Sequence, residues 1–222
     1  SGGVDYRISA NAPKNLIELL APGRQFSEQE FVIYQDDRWS FSHFHRQADL
    51  LGVQLIRQFN IGKGDRVAIA MRNCPEWMAA FLAIISVGAV AVPLNSWGAR
   101  KELQQSLADA HCAFVFCDQQ RLDIIQPQDL GLTAIVVHHQ GTLPLNCHSY
   151  RDVISDVSVV DLCEIELRSA LSAIVIDRND EAMIMFTSGT SGSPKAALFT
   201  HFQCCQSMTN FEAVAAAAYM TN

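Results

Sequence analysis

Nine consecutive residues, Thr187, Ser188, Gly189, Thr190, Ser191, Gly192, Ser193, Pro194 and Lys195, carry hydroxyls, glycines and one lysine but no large apolar side chain. Glycine lets backbone N–H groups turn inward around an anion. Hydroxyls donate to anionic oxygens, and an ammonium on a flexible stem brings a positive charge with three donors. Together they suit a chain of phosphates. A surface linker would have similar composition. This segment, however, stands between two apolar runs, Ala182 to Phe186 and Ala196 to Phe199, with the lysine at the junction. Phosphate binding is therefore the stronger reading.

The run Ala182 to Phe186 follows acidic Asp180 and Glu181 and reads as a buried strand, and Ala196 to Phe199 reads as a second strand. A P-loop of the Walker A type would end in Gly-Lys-Ser/Thr and pass directly into a helix. Here Pro194 precedes Lys195 and Ala196 follows it, so that pattern is absent.

The stretch Phe186 to Lys195 resembles the signature loop of the adenylate-forming superfamily, whose members typically read Tyr/Phe-Thr-Ser-Gly-Thr-Thr-Gly-x-Pro-Lys-Gly. Ser191 stands for the second threonine of the pair and keeps a hydroxyl; Ala196 stands for the following glycine and removes some backbone freedom. The order GDRVAIAMRNCPEW, FLAIISVGAVAVPLNSW and AFVFCD is also similar to the early part of acyl-CoA synthetases and coumarate ligases. Together the two resemblances cover most of the chain.

The elements ahead of the loop alternate. Asn15 to Leu20 suits a short helix, and Phe31 to Tyr34 with Trp39 and Ser40 suits a hairpin around Asp36 and Asp37. Phe44, Ala48, Leu51, Leu55 and Phe59 share one face of a helix that Gly62 is expected to end. Val67 to Met71 is a buried strand, after which Asn73 is expected to cap a helix with Pro75 in its first turn and Glu76 completing a capping box. That helix is apolar nearly all round, and Gly88 separates it from a strand, Ala89 to Val92. Leu103, Leu107 and Ala110 mark a further helix, and Ala113 to Cys117 and Ala134 to Val137 further strands. This is an α/β pattern, a largely parallel sheet with helices on both faces. The expected division is an α/β subdomain over 1–178, with 179–222 beginning a second α/β subdomain. Thr200 with Gln203 suits a capping box for a last helix, with Met208, Phe211 and Ala215 facing inward. Residues 126–179 show little periodicity, and His138, His139 and His148 there read as surface or sheet-edge residues without a metal-binding spacing.

A net charge of −7 over 222 residues argues against a nucleic-acid partner, which would need clustered Lys and Arg. With 49% hydrophobic and 18% charged residues the composition is that of a folded globular protein. Seven cysteines without a CxxC spacing suggest reduced thiols in a cytoplasmic protein rather than a disulfide framework. The apolar run Trp77 to Val92 is broken by Ser86 and Gly88, stops at Pro93, and falls short of the ~18 to 20 residues of a membrane span, which leaves at most a peripheral membrane contact.

The resemblance implies more than the residues themselves show. In the family such a loop holds the phosphates of ATP while a carboxylate attacks the α-phosphate and pyrophosphate leaves. By resemblance Thr187, Ser188, Gly189, Thr190, Ser191, Gly192 and Lys195 bind the nucleotide, with Lys195 and Thr190 acting on the reacting phosphates. His201 falls where family members often carry histidine, in a structural role. ATP and CoA are the implied co-substrates of a small carboxylic acid, with fatty acids first among the expected classes. The implied Mg2+ ligand, the adenine contacts, most of the acyl pocket and a C-terminal lysine fall beyond Asn222. The chain is then expected to be an N-terminal fragment, inactive alone. Two other readings stay open: a binding module that keeps the fold without catalysis, and a kinase or ATPase, for which neither a Walker A ending nor a kinase glycine loop is present.

Overall fold

The computed structural model describes residues 8–187 and 195–220. In chain order the elements are α1 (Leu16–Leu20), β1 (Glu30–Tyr34), β2 (Asp37–Ser40), α2 (Phe41–Arg57), β3 (Arg66–Ala70), α3 (Pro75–Ser86), β4 (Val90–Pro93), α4 (Arg100–Asp109) and β5 (Phe114–Asp118). They continue with α5 (Gln119–Ile125), β6 (Thr133–Val137), β7 (Cys147–Ser149), α6 (Tyr150–Ile154), α7 (Val157–Val160), α8 (Glu164–Ser172), β8 (Glu181–Thr187), β9 (Lys195–Thr200) and α9 (His201–Met220).

Seven strands form one sheet in the order β7-β6-β5-β3-β4-β8-β9, and β1 and β2 form a separate antiparallel pair. From β7 to β8 all neighbours are parallel; only β9 runs back, antiparallel to β8. This is the expected sheet with helices on both faces, and the alternation of side chains along each strand explains the two layers. Val67 and Ile69 of β3, with Phe114 and Phe116 of β5, pack under α2 and α3; Ala68 and Ala70, with Val115 and Cys117, pack under α4 and α5. Leu51 and Leu55 of α2 are fully buried against the first face. Burying each contributes about 1.5 to 3 kcal/mol.

Three local expectations are corrected. Helix α2 ends at Arg57, and the chain turns at Asn60, whose φ is +52°, before it reaches Gly62. Helix α3 starts one residue later than expected, with Cys74 and not Asn73 at the N-cap and no side-chain cap bond. Glu76 is thereby free to bind another partner. On α9, Met208, Phe211 and Ala215 are exposed, and among its described side chains His201 and Cys205 are the buried ones. The reason is contact: among the described residues α9 packs chiefly against α1, β8 and β9, and its bonds to the rest of the chain run through His201, Phe202 and Gln206 in its first two turns.

The capping of α9 is as expected. The Thr200 N–H donates to Gln203 Oε1 (2.9 Å) and the Gln203 N–H to Thr200 Oγ1 (3.3 Å). The unread stretch holds the edge strand β7 and helices α6 to α8, all short, which is why periodicity did not reveal them.

Candidate active site at the carboxyl edge of the sheet

Strand β3 is followed by α3 on one face of the sheet, whereas its neighbour β5 is followed by α5 on the other. Their carboxyl ends therefore open a crevice, the usual place for a ligand in an open parallel sheet. Asp118, the last residue of β5, accepts the Arg72 N–H across it (3.0 Å) and caps α5 through the Arg121 N–H (3.0 Å). The Arg121 side chain is 2% exposed. Its Nη1 lies 3.1 Å from Asp118 Oδ2, and its Nε donates to the Ser96 carbonyl (2.7 Å). A buried cation needs such full pairing to be tolerated. The result is that the loop after β4 is tied to the end of β5.

In that loop the Trp97 N–H donates to Asn95 Oδ1 (3.1 Å), and Asn95 Nδ2 donates to Glu102 Oε1 (3.2 Å). The Arg72 guanidinium sits over the Trp97 ring, 3.1 Å from its centroid. Glu76, at the start of α3, pairs with His138 at the end of β6 (2.9 Å), so His138 is an exposed residue at the carboxyl edge of the sheet.

The nucleotide-loop expectation falls partly on this edge. Thr187 ends β8 and Lys195 opens β9, and the two are register partners across the hairpin. Thr187 Oγ1 donates to the Lys195 carbonyl (3.3 Å). Both residues are exposed, and among the described residues the Lys195 ammonium makes no ion pair. Ser188, Gly189, Thr190, Ser191 and Gly192 lie outside the described residues. Thr187 and Phe186 share with Pro93, Asn95, Glu102 and Ser106 a cavity of about 420 Å3 between the carboxyl ends of β4 and β8. A hydroxyl lining a polar cavity, with an exposed ammonium on its register partner, fits a phosphate chain. Among the described residues no three ligating side chains cluster as a metal site.

The other end of the hairpin is fixed from below. Lys63 Nζ reaches Asp180 Oδ2 (2.6 Å), and the Asp180 carbonyl accepts the His201 N–H (3.1 Å). Burial alone would raise the Asp180 carboxyl, but the bond and charge of Lys63 hold it below the usual range. His201 is fully buried; its Nδ1 accepts the Leu16 N–H (3.3 Å), and burial lowers its pKa, with Asp180 opposing. It joins α1 to the root of the hairpin. Burial lifts the Cys74 thiol to about 12, with Glu76 adding to the effect, so no nucleophilic thiolate forms there.

The family described as AMP-binding enzyme matches residues 21–221. The chain belongs to that family. It is 24% identical over 212 residues to the acyl-CoA ligase sidI of Aspergillus fumigatus, a match covering 82% of this chain and 32% of that protein. It is 26% identical over 153 residues to the crotonobetaine/carnitine–CoA ligase of Salmonella paratyphi C, covering 67% of this chain and 28% of the relative. The chain thus spans about a third of the length of these curated relatives. Among solved structures it superposes on the anthranilate CoA ligase AuaEII, in complex with anthranoyl-AMP, with a TM-score of 0.70 at 19% identity over 86% of this chain and 35% of that one. The N-terminal subdomain of Klebsiella oxytoca NpsA, in complex with 3-hydroxybenzoyl-AMSN, gives 0.62 at 22% identity over 85% of this chain and 41% of that one. These likenesses carry the fold.

Sequence reasoning missed Arg72, Trp97, Asp118 and Arg121. A signal existed: Arg72 and Asp118 each stand at the carboxyl end of an apolar strand, where a charged residue faces the crevice.

Proposed function

We propose that this chain is the N-terminal part of an ATP-dependent carboxylate–CoA ligase, with residues 179–222 beginning a second α/β subdomain. A carboxylate oxygen attacks the α-phosphorus of ATP and pyrophosphate leaves with the bonding electron pair; the CoA sulfur then attacks the acyl carbonyl and AMP leaves. The observation that carries this reading is the register pairing of Lys195 with Thr187, which itself lines a polar cavity, on either side of the hydroxyl- and glycine-rich segment.

In this reading Lys195 pairs with a phosphate oxygen, Thr187, Ser188, Thr190 and Ser191 donate hydroxyl bonds, and Gly189 and Gly192 permit close backbone approach. Thr187 turns its hydroxyl from the Lys195 carbonyl to the ligand. Each hydrogen bond to a charged oxygen is worth about 1.5 to 3 kcal/mol. Donors already in place where charge gathers lower the barrier without reorganisation. A magnesium ion, which residues beyond Asn222 would hold, would neutralise part of the phosphate charge. The substrate is a small carboxylic acid, with fatty acids first; the names of the relatives keep aryl and short polar acids in contention. The 222 residues alone are inactive.

The test is pyrophosphate exchange by the longest protein encoded with this chain, across fatty, aryl and amino acids, with Lys195→Ala beside it. We expect acid-dependent exchange that falls about 10²- to 10³-fold in the variant. Exchange that is unchanged by Lys195→Ala, or absent with every acid, overturns the reading.

A further inference from the structure

A second cavity, about 650 Å3 and larger than the one beside Thr187, lies between α1, α2, the end of α3 and α8. Ser86, which lines it, is the last residue of α3 and leads toward the amino end of β4. The Val175 carbonyl, between two of its lining isoleucines, accepts from Lys63 just ahead of β3 (3.2 Å). The cavity therefore lies toward the amino edge of the sheet, away from the crevice at the carboxyl edge.

Its walls are aliphatic. Ile17 of α1, Ile165 of α8, and Ile174 and Ile176 beyond α8 line it, and among the described residues no aromatic side chain does. Ile165 is 79% exposed, although Leu167 and Leu171 of the same helix are buried. Ile165, Arg168, Ser169 and Ser172 recur at spacings of three and four and share the face turned to the cavity. Helix α8 thus packs one stripe on the core and turns a second, of isoleucine, arginine and serine, to an open volume.

One cation at this cavity is uncommitted. Arg24 is bonded through both Nη atoms to Asp49 (2.9 and 2.7 Å), whose side chain is 2% exposed, so that pair is satisfied. Glu18 accepts the Lys14 N–H (2.9 Å). Arg168 Nη1 lies 3.9 Å from Glu164 Oε1, both side chains more than half exposed, and Arg168 makes no hydrogen bond among the described residues. His45, one turn before Asp49 on α2, is 4% exposed, and its Nδ1 has no partner among the described residues. Arg24 and Arg168 both act on this ring, so two guanidiniums and an imidazole converge on one end of the cavity. A ligand group that satisfies a buried, unpaired atom gains what leaving it unpaired costs.

We propose that this cavity binds an aliphatic carboxylate of medium length, its head group on Arg168 and the Ser169 hydroxyl at the His45 end, its chain along the four isoleucines. A carboxylate is the anion whose two oxygens match the guanidinium fork. A saturated chain suits branched aliphatic walls that offer a ring no stacking partner, and each CH2 taken from water adds affinity. The volume is in the ordinary range for a small-molecule site. The site shares no lining residue with the cavity beside Thr187, and it goes beyond the ligase reading without resting on it.

The test is calorimetric titration of the 222-residue chain with octanoate, octan-1-ol, octylammonium and benzoate. We expect octanoate to bind, octan-1-ol and benzoate to bind about tenfold or more weakly, and octylammonium not to bind. Arg168→Gln should weaken octanoate about tenfold or more and leave octan-1-ol unchanged. Ile165→Asp, which sets a negative charge at the mouth, should weaken octanoate at least as much. Both positions are exposed, so both variants should unfold at the denaturant concentration of the parent. Octan-1-ol, octylammonium or benzoate binding as tightly as octanoate, octanoate affinity unchanged in Arg168→Gln, or no octanoate binding overturns the proposal. So does octanoate binding that is lost in Lys195→Ala, which would assign it to the phosphate-loop site. Failure here leaves pyrophosphate exchange by the longer protein untouched, and failure of exchange leaves this titration readable.

Discussion

The interior of the sheet and the β8–β9–α9 segment draw on similarly apolar residues, yet bury them very differently. Residues Val67 to Ala70 of β3 are completely buried, whereas Met185 is 44%, Leu198 46% and Phe211 70% exposed. In the first region every apolar side chain has a helix above or below it; in the second the hairpin has one covered side and its outer strand has one neighbour. Apolarity therefore reports what a segment can bury, and the covering layer decides what it does bury. The same contrast separates stability from chemistry: the core strands end in tightly bonded groups such as Asp118 and Arg121, while Lys195 on the hairpin keeps its charge in water.

The largest difference between the regions should appear when each loses one side chain. Leu51→Ala, at a fully buried site, should cost about 2 to 5 kcal/mol in denaturant unfolding. Lys195→Ala should cost under about 0.5 kcal/mol in the same measurement, as exposed residues do. If the two variants unfold at the same denaturant concentration, the contrast fails.

Acid sharpens the comparison on the core side. His45 is buried beside Arg24, and burial together with Arg24 and Arg168 lowers its pKa to about 4. The unfolded chain therefore binds a proton at pH values where the folded one does not, so stability is full above about 6.5 and falls as pH drops toward 4. The loss is at most about 3.4 kcal/mol, at 1.36 kcal/mol per unit over the shift from 6.5 to about 4. His45→Gln should flatten the unfolding profile between pH 6.5 and 4; a profile as steep as that of the parent would assign the acid sensitivity elsewhere.

The sheet was legible because strands such as Val67 to Met71 are short apolar runs between turn residues, and the helix between β3 and β4 because Trp77 to Ile85 are all apolar. Cap positions were less so. Asn73 has the better capping side chain, yet Pro75 prefers the first helical position and places Cys74 at the cap. The crevice was illegible for a different reason: Arg72 meets Trp97 25 positions away and Asp118 46 positions away, and no local period encodes such pairings. The inward face expected for Met208 and Phe211 failed because periodicity gives the face of a helix but not its cover.

The hairpin's junction with α9 comes next in size. Thr200 and Gln203 exchange reciprocal cap bonds, so Thr200→Ala should cost about 0.5 to 2 kcal/mol. Thr200→Ser, which keeps the acceptor, should recover most of it in the same melt. Equal losses in the two variants would mean that the methyl group, and not the cap bond, holds the junction.

The smallest expected effect is the most informative about the exposed region. Phe211→Ser in this chain should change stability by no more than about 0.5 kcal/mol, because most of the ring is already in water. In a protein of the relatives' length, a second α/β unit packed on α9 would bury that ring, and the same substitution would then cost about 1.5 to 3 kcal/mol. Measuring the variant in both lengths turns exposure into an assay for a covering layer. A small cost in both would mean that α9 stays uncovered, and the apolar face of the hairpin would need another explanation than a partner within the same protein.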